Sequence, residues 1–302
     1  MCRGEADRDT GTVSTEVTSQ GHDGAGRRAA VCNVCPHHCR IPEGALGRCR
    51  ARKNVDGKVI CVSYGKLTSI VLDPIEKKPL AYFHPGSMIL SVGSFGCNLS
   101  CPFCQNHEIA AAGESDFRRL YEVSPKELCS LAKSETVRGN IGVAYTYNEA
   151  LAGYEYARDS AYLVHEAGML NVLVTNGMAE LPVLEELLPY IDAMNIDLKG
   201  FRPEIYRKLG GDLETVKAFI TRAAKECHVE LTSLIVPGMN DDPADMEKEA
   251  EWIAQIDPLI PLHITRYFPR YRMKERPTDI PLLRQLKKIA EKRLERVLLG
   301  NV

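Results

Sequence analysis

From Met88 to the end of the chain, short apolar runs alternate with helical patterns, and this rhythm limits the fold more than any other feature. Met88–Val92, Ile141–Tyr145, Asn171–Thr175, Ala193–Asp197, Val229–Val236, Leu262–Thr265 and Val297–Leu299 read as strands. Between them lie helical stretches. One opens at Ser124-Pro125-Lys126-Glu127, with a capping serine, a first-turn proline and a glutamate three residues on. Others run from about Glu149 to Gly168, up to about Cys227, and over Pro243–Ile256; a last helix carries the stripe Leu282, Leu283, Leu286, Ile289, Ala290, Leu294. Near-continuous apolar strands separated by helices predict a parallel sheet covered by helices, in the α/β class. Six or seven such units predict a closed or partly closed β/α barrel. In such folds chemistry gathers at the C-terminal ends of the strands.

The chain ahead of this pattern divides in two. Residues 1–30 hold no Leu, Ile, Phe, Tyr or Trp, but five Gly and six Ser/Thr. Such a segment cannot bury enough apolar area to offset its ordering entropy, which predicts a disordered tail. Its arginines hint at a transit peptide; its five acidic residues favour an extended or mis-assigned start. Residues 31–84 form a cysteine-rich segment: Pro36, Pro42, Gly44 and Gly47 give 31–61 loop chemistry, and 62–84 read as short strands leading to a barrel over 85–302.

Charge and length exclude several functions. The 302 residues carry 38 basic and 40 acidic side chains, a net charge of −2, so no nucleic-acid footprint is expected. No apolar run approaches the roughly 18 residues of a bilayer span, so no membrane partner is expected either. Of the 11 cysteines, seven form two tight clusters. Without a signal peptide, that pattern points to metal in a reducing, cytoplasmic setting rather than to a disulfide framework.

Cys97-x3-Cys101-x2-Cys104 follows the first barrel strand on a loop flanked by Gly93 and Gly96. Three thiolates within eight residues can wrap one compact inorganic centre and leave a coordination position for something other than protein. A zinc site completed by a distant His or Cys is the alternative.

This set, with Phe103 before the third cysteine, resembles the signature of the radical S-adenosylmethionine (SAM) superfamily. Within it the chain, over about residues 31–302, is similar to the activating enzymes of pyruvate formate-lyase, and most of all to the radical SAM component of the AmmeMemoRadiSam system. Cys35–Cys39 (Cys-Pro-His-His-Cys), Cys101–Asn106, Tyr145–Glu149 and Pro237–Asp241 carry that likeness. The resemblance implies a partial (β/α)6-type TIM barrel. It implies a [4Fe–4S] cluster on Cys97, Cys101 and Cys104, with SAM chelating the fourth iron. Reductive cleavage would release a 5′-deoxyadenosyl radical that takes hydrogen from a substrate.

It also implies cofactor-binding positions around the barrel. Glu149, after Tyr147-Asn148, matches the acidic residue that holds the SAM amino group, with Asn148 in place of a glycine; helix capping is the plain alternative. Thr175 and Asn176 border the methionine moiety, although Asn-Gly by itself is a turn. Asp197 and Lys199 share one side of an extended chain and help place SAM, in some members with a monovalent cation; a surface ion pair is the alternative. Pro237–Asp242 after the fifth strand reads as a turn and helix cap, bordering adenosine by resemblance. His263 is read as a strand-end histidine pointing into the barrel mouth. No general acid or base is assigned.

Cys32-x2-Cys35-x3-Cys39-x9-Cys49 is a four-thiol set with no vacancy. That suits structural zinc or a saturated [4Fe–4S] cluster that relays electrons; His37 and His38 read as bystanders. Cys2, Cys61, Cys129 and Cys227 are scattered, and Cys129 and Cys227, in helical patterns, read as small packing residues.

Three functions follow as expectations: a radical SAM enzyme acting on an unidentified substrate; an activase that installs a glycyl radical on a protein; a non-catalytic iron–sulfur or zinc protein that carries electrons or binds partners. The first two imply a flavodoxin- or ferredoxin-like electron donor. The likeness adds a protein substrate or AmmeMemoRadiSam proteins as partners.

Overall fold

The computed structural model describes residues 21–22 and 28–302. Eight strands form one sheet: β1 (Ser69–Pro74), β2 (Met88–Gly93), β3 (Asn140–Tyr145), β4 (Leu170–Thr175), β5 (Ala193–Asp197), β6 (His228–Ile235), β7 (Leu262–Arg266) and β8 (Val297–Gly300). They lie in chain order from edge to edge. β2 to β8 are parallel, and β1 runs antiparallel along β2. The sheet is the α/β partial barrel that the alternation predicts, with seven parallel strands.

Helices cover its outer face: α1 (Pro125–Ser134), α2 (Tyr154–Glu166), α3 (Leu181–Leu187), α4 (Pro203–Leu209), α5 (Leu213–Ala223), α6 (Pro243–Ile256) and α7 (Ile280–Ala290). Their starts follow capping chemistry. Ser124 Oγ accepts from the Glu127 amide while the Glu127 carboxylate accepts from the Ser124 amide. Asp212 and Asp242 cap α5 and α6 in the same manner. The helix expected from Glu149 starts later: Ala150–Gly153 is a tighter turn and α2 opens at Tyr154, because the Glu149 carboxylate caps Leu151 N.

The main core lies between strands and helices and includes Leu90, Val143, Leu173, Ile196 and Leu231. A smaller cluster lies inside the barrel, where Ile89, Ala144, Val172 and Ala193 pack with Ile75 and Leu80. These last two come from the stretch after β1, which crosses the end of the barrel where the parallel strands begin. Alternation along each strand separates the two sets.

Residues 31–61 correct an expectation: they are strand-bearing. Arg28–Val31 pairs with Arg40–Pro42, and Arg52–Val55 with Lys58–Cys61. The second pair turns on Asp56-Gly57, whose φ values of +52° and +78° are those of a two-residue hairpin turn. Residues 28–30 of the expected tail therefore belong to a strand; residues 1–20 and 23–27 lie outside the described residues.

Candidate active site

All the parallel strands point one way, so their C-terminal ends form a common mouth. The loop after β2 crosses it and carries Cys97, Cys101 and Cys104. Each part of this loop is tied to a different element. Cys97 N donates to Cys49 O (3.2 Å), Ser100 N to Leu209 O (2.8 Å), and Pro102 O accepts from Arg272 N (2.9 Å). Phe103 fills an apolar cluster with Ile205, Leu209, Val236 and Tyr267, so its ring anchors the loop from below.

The three thiols are mostly shielded. Burial pushes each of them up, Cys101 to about 11, and their mutual repulsion raises Cys97 and Cys101 further. Lys199 opposes this at Cys101 and Cys104. As thiols they are neutral at pH 7, and a metal must displace their protons to bind. The surroundings fit such a centre. Leu99 N (3.4 Å) and Asn176 Nδ2 (3.7 Å) both direct N–H groups at Cys97 Sγ. Donors of this kind stabilise charge on a ligating sulfur.

Asn176 also donates to Asn98 Oδ1 (3.0 Å), and its own oxygen accepts from Met178 N (2.8 Å). Glu149 is buried, and its carboxylate accepts from Thr175 Oγ1 (2.7 Å), Leu151 N (3.1 Å) and Asn176 N (2.8 Å). Burial raises its pKa above the usual carboxylate value, and these three neutral donors only partly oppose that. Glu149 and Thr175 thus bolt the end of β3 to the end of β4, directly beside Cys97. Asn148 is used up in the same way: it accepts from Ser94 N and donates to Phe95 O and Gly96 O. It holds the glycine turn from which the cysteine loop departs.

Asp197 and Lys199, at and just past the end of β5, form an ion pair of 2.7 Å. Burial would lower the Lys199 ammonium's pKa, but Asp197 and then Cys101 outweigh it, so Lys199 stays charged. The pair is partly open to solvent. Lys199 is held in place from both sides of its backbone, by Tyr206 Oη and by Asn240 Nδ2.

The structure thus brings Cys97, Cys101, Cys104, Phe103, Asn148, Glu149, Thr175, Asn176, Asp197 and Lys199 to one mouth. It does not bring His263 there. His263 is the second residue of β7, at the end where the strands begin. Its Nε2 lies 2.6 Å from Glu230, whose carboxylate also accepts from Ala81 N and Tyr82 N and meets His228. The strand-end expectation fails because a parallel strand reaches the mouth with its last residues, and His263 is among the first.

Asp73 and Lys78 were not singled out by sequence reasoning, and Tyr147 entered it only as a neighbour of Glu149. Tyr147 has φ +71°, a left-handed backbone that side chains seldom adopt. From the mouth it reaches into the barrel, where its hydroxyl donates to Asp73 (2.6 Å). Lys78 is 2% exposed, pairs with Asp73 at 2.9 Å and lies 4.6 Å over the Tyr147 ring. Desolvation of Asp73 is more than offset by Tyr147, Lys77 and Lys78, which hold its carboxyl at about 2.

The four-thiol set gathers behind the cysteine loop. Cys32, Cys35, Cys39 and Cys49 line one pocket together with Asn98 and Ala152. Burial raises Cys32, pushes Cys35 to about 12 and Cys49 to about 11, and neighbouring thiols of the set add to each. The ten described cysteines are all free. Among the described residues no three His, Cys, Asp or Glu side chains converge as the ligands of a single ion would; the thiols stand around a space. Nor does any described helix have the length and apolarity to cross a membrane.

Comparison with known proteins agrees with this geometry. The family model described as the Radical SAM superfamily matches residues 91–252. An uncharacterised protein of Methanocaldococcus jannaschii is 38% identical over 279 residues, covering 90% of this chain and 81% of that one. The pyruvate formate-lyase 1-activating enzyme of Escherichia coli K12 is 27% identical over 161 residues, covering 52% and 65%. Among solved structures, a radical SAM methyltransferase from Sphaerobacter thermophilus superposes with a TM-score of 0.54 at 16% identity, covering 72% of this chain and 67% of that one. Streptococcus suis SuiB bound to S-adenosylmethionine superposes with 0.55 at 14%, covering 71% and 52%. At those identities the likeness is one of fold.

Proposed function

Because the chain belongs to the radical SAM superfamily, of the pyruvate formate-lyase-activase-like kind, we propose that it cleaves S-adenosylmethionine reductively and abstracts hydrogen from a substrate at the barrel mouth. The observation that carries this reading is the cysteine loop. It holds three thiols at the C-terminal ends of parallel strands, with the N–H groups of Leu99 and Asn176 aimed at Cys97 Sγ. Cys97, Cys101 and Cys104 would hold a [4Fe–4S] cluster. With SAM bound, that cluster supplies one-electron cleavage to methionine and a 5′-deoxyadenosyl radical, which takes a hydrogen atom from the substrate.

The chain's own residues supply position and shielding. Asn148, Glu149 and Thr175 fix the ends of β3 and β4 around the loop. Asn176 steadies Cys97. Lys199, charged and partly exposed, would hold a carboxylate, and Asp197 a cationic group. Phe103 and its apolar neighbours keep water from the underside of the loop. A polypeptide substrate, as in an activase, is the second reading, favoured by the likeness to the activating enzyme of E. coli. The ten free cysteines support a reducing, cytoplasmic setting.

The test is anaerobic. Protein reconstituted with iron and sulfide is incubated with SAM and dithionite, and 5′-deoxyadenosine is measured against Cys97→Ala. Product that falls at least about a hundredfold in the variant is expected. No product from wild-type protein shown to hold iron at the three-thiol loop would overturn the reading and favour an electron carrier.

A further inference from the structure

The two cysteine sets lie far apart in the sequence and touch in the structure. Cys97 N donates to Cys49 O at 3.2 Å, so one peptide hydrogen bond joins a residue of the three-thiol set to a residue of the four-thiol set. The approach depends on Gly96, whose φ is +88°; a Cβ there would stand 2.4 Å from Cys49 O. A second path runs through side chains. Asn98 lines the four-thiol pocket beside Cys35, and its Nδ2 donates to Met178 O. Its Oδ1 accepts from Asn176 Nδ2, which in turn reaches Cys97 Sγ. His37, within the first set, lies 2.9 Å from Asn98 O.

The four-thiol set itself spans a range of depth. The turn that carries His37, His38 and Cys39 faces solvent, with the His38 side chain 52% exposed, whereas Cys32, Cys35 and Cys49 are buried. A zinc ion would need only the hairpins around it. Nothing in a structural zinc site calls for two connections to a neighbouring redox loop.

We infer that Cys32, Cys35, Cys39 and Cys49 bind a second iron–sulfur cluster, and that it passes electrons to the three-thiol site through the Cys49–Cys97 contact. An external one-electron donor of the flavodoxin or ferredoxin class is oxidised by one electron, and the four-thiol cluster is reduced by one. The same electron then moves on, the four-thiol cluster returns to its oxidised state, and the three-thiol cluster is reduced. No proton or bond changes place. The inference rests on the function proposed above, and the experiment separates the two.

Protein is reconstituted with ferrous iron and sulfide. Wild type, Cys32→Ser/Cys35→Ser and Cys97→Ser/Cys101→Ser/Cys104→Ser are analysed for iron, zinc and electron paramagnetic resonance after dithionite. Wild type is expected to hold about eight irons and each variant about four. Its spectrum is expected to show a spin–spin splitting that keeps the same field width at two microwave frequencies, and both variants are expected to lose it. With reduced flavodoxin in place of dithionite, reduction of the three-thiol cluster is expected to slow at least tenfold in Cys32→Ser/Cys35→Ser.

One zinc beside four irons in wild type overturns the inference, as does the absence of splitting in protein with eight irons. So does an unchanged flavodoxin rate in the double variant. If that variant fails to fold, the wild-type metal content and splitting decide the matter alone. Two coupled clusters without 5′-deoxyadenosine formation would instead overturn the proposed function and leave the second cluster standing.

Discussion

The two ends of the barrel each bury a carboxylate and treat it in opposite ways. At the mouth, Glu149 meets two amides and a hydroxyl, all neutral, and burial raises its pKa. At the floor, Glu230 is fully buried too, yet burial is outweighed by His228, His263 and the amides of Ala81 and Tyr82, which hold it at about 2. The floor is therefore electrostatically complete within the chain. It clamps the segment after β1 to β6 and β7. The mouth instead gathers groups that are costly to ionise, three shielded thiols and Glu149, beside an Asp197–Lys199 ion pair that keeps part of its surface in water. One end of the fold is built for stability and the other for chemistry, the division expected of β/α barrels.

The contrast is most exposed at Glu230. Glu230→Gln leaves one oxygen for four donors and strands at least one buried amide. A loss of about 3–5 kcal/mol in unfolding free energy is expected by denaturant titration, with SAM affinity of the folded fraction unchanged. An equal fall in SAM affinity would break the division of labour between the two ends.

Acid gives a smaller effect through the same group. Its carboxyl is held below the usual 4.5, at about 2, so the unfolded chain binds the extra proton between those values. The stabilisation is complete above about pH 4.5 and is lost as pH falls toward 2. It is worth up to roughly 3 kcal/mol for a shift of this size. The acid limb of the stability profile should flatten in Glu230→Gln. An unaltered limb would assign acid lability to other carboxylates.

Tyr147 connects the ends. It leaves the mouth in a left-handed conformation and donates to Asp73, which Lys77 and Lys78 also hold. Tyr147→Phe removes one hydrogen bond to a charged group and leaves both ammonium partners. A loss of about 1.5–2 kcal/mol is expected in thermal unfolding. No loss would mean that the phenol is not what ties the two ends.

Much of this was legible in the sequence, for reasons that vary by residue. The strands from Met88 on are apolar on both faces, so their runs stand out. The capping box at Ser124 and the C-x3-C-x2-C loop are local patterns, and both appear where expected. The floor could not be read, because Glu230 meets His263 across 33 residues and Ala81 across 149. His263 was misplaced although the strand containing it was found; direction along a parallel strand was the missing step. The hairpins within 31–61 were masked by cysteine, proline and glycine, yet Asp56-Gly57 was a turn signal that could have been used. Asn148 and Asn98 owe their roles to backbone partners that no spacing announces.

The smallest effect is the sharpest check on the opening contrast. In Glu149→Gln the side-chain oxygen can still accept from Thr175 and Leu151, while the new amide faces Asn176 N and forfeits that bond. The forfeited bond alone costs about 1–3 kcal/mol. Against it stands the relief of a buried charge that only neutral donors attend. The two terms oppose, so the net change in unfolding free energy at pH 7 should stay within about 1 kcal/mol, well below that of Glu230→Gln. At the floor that relief is smaller, since four partners, two imidazoles and two amides, hold the Glu230 carboxylate below its usual pKa. Denaturant titration of both variants in one buffer compares them directly. A cost at Glu149 as large as that at Glu230 would mean the mouth carboxylate is as well compensated as the floor's, and the electrostatic asymmetry of the barrel would fall.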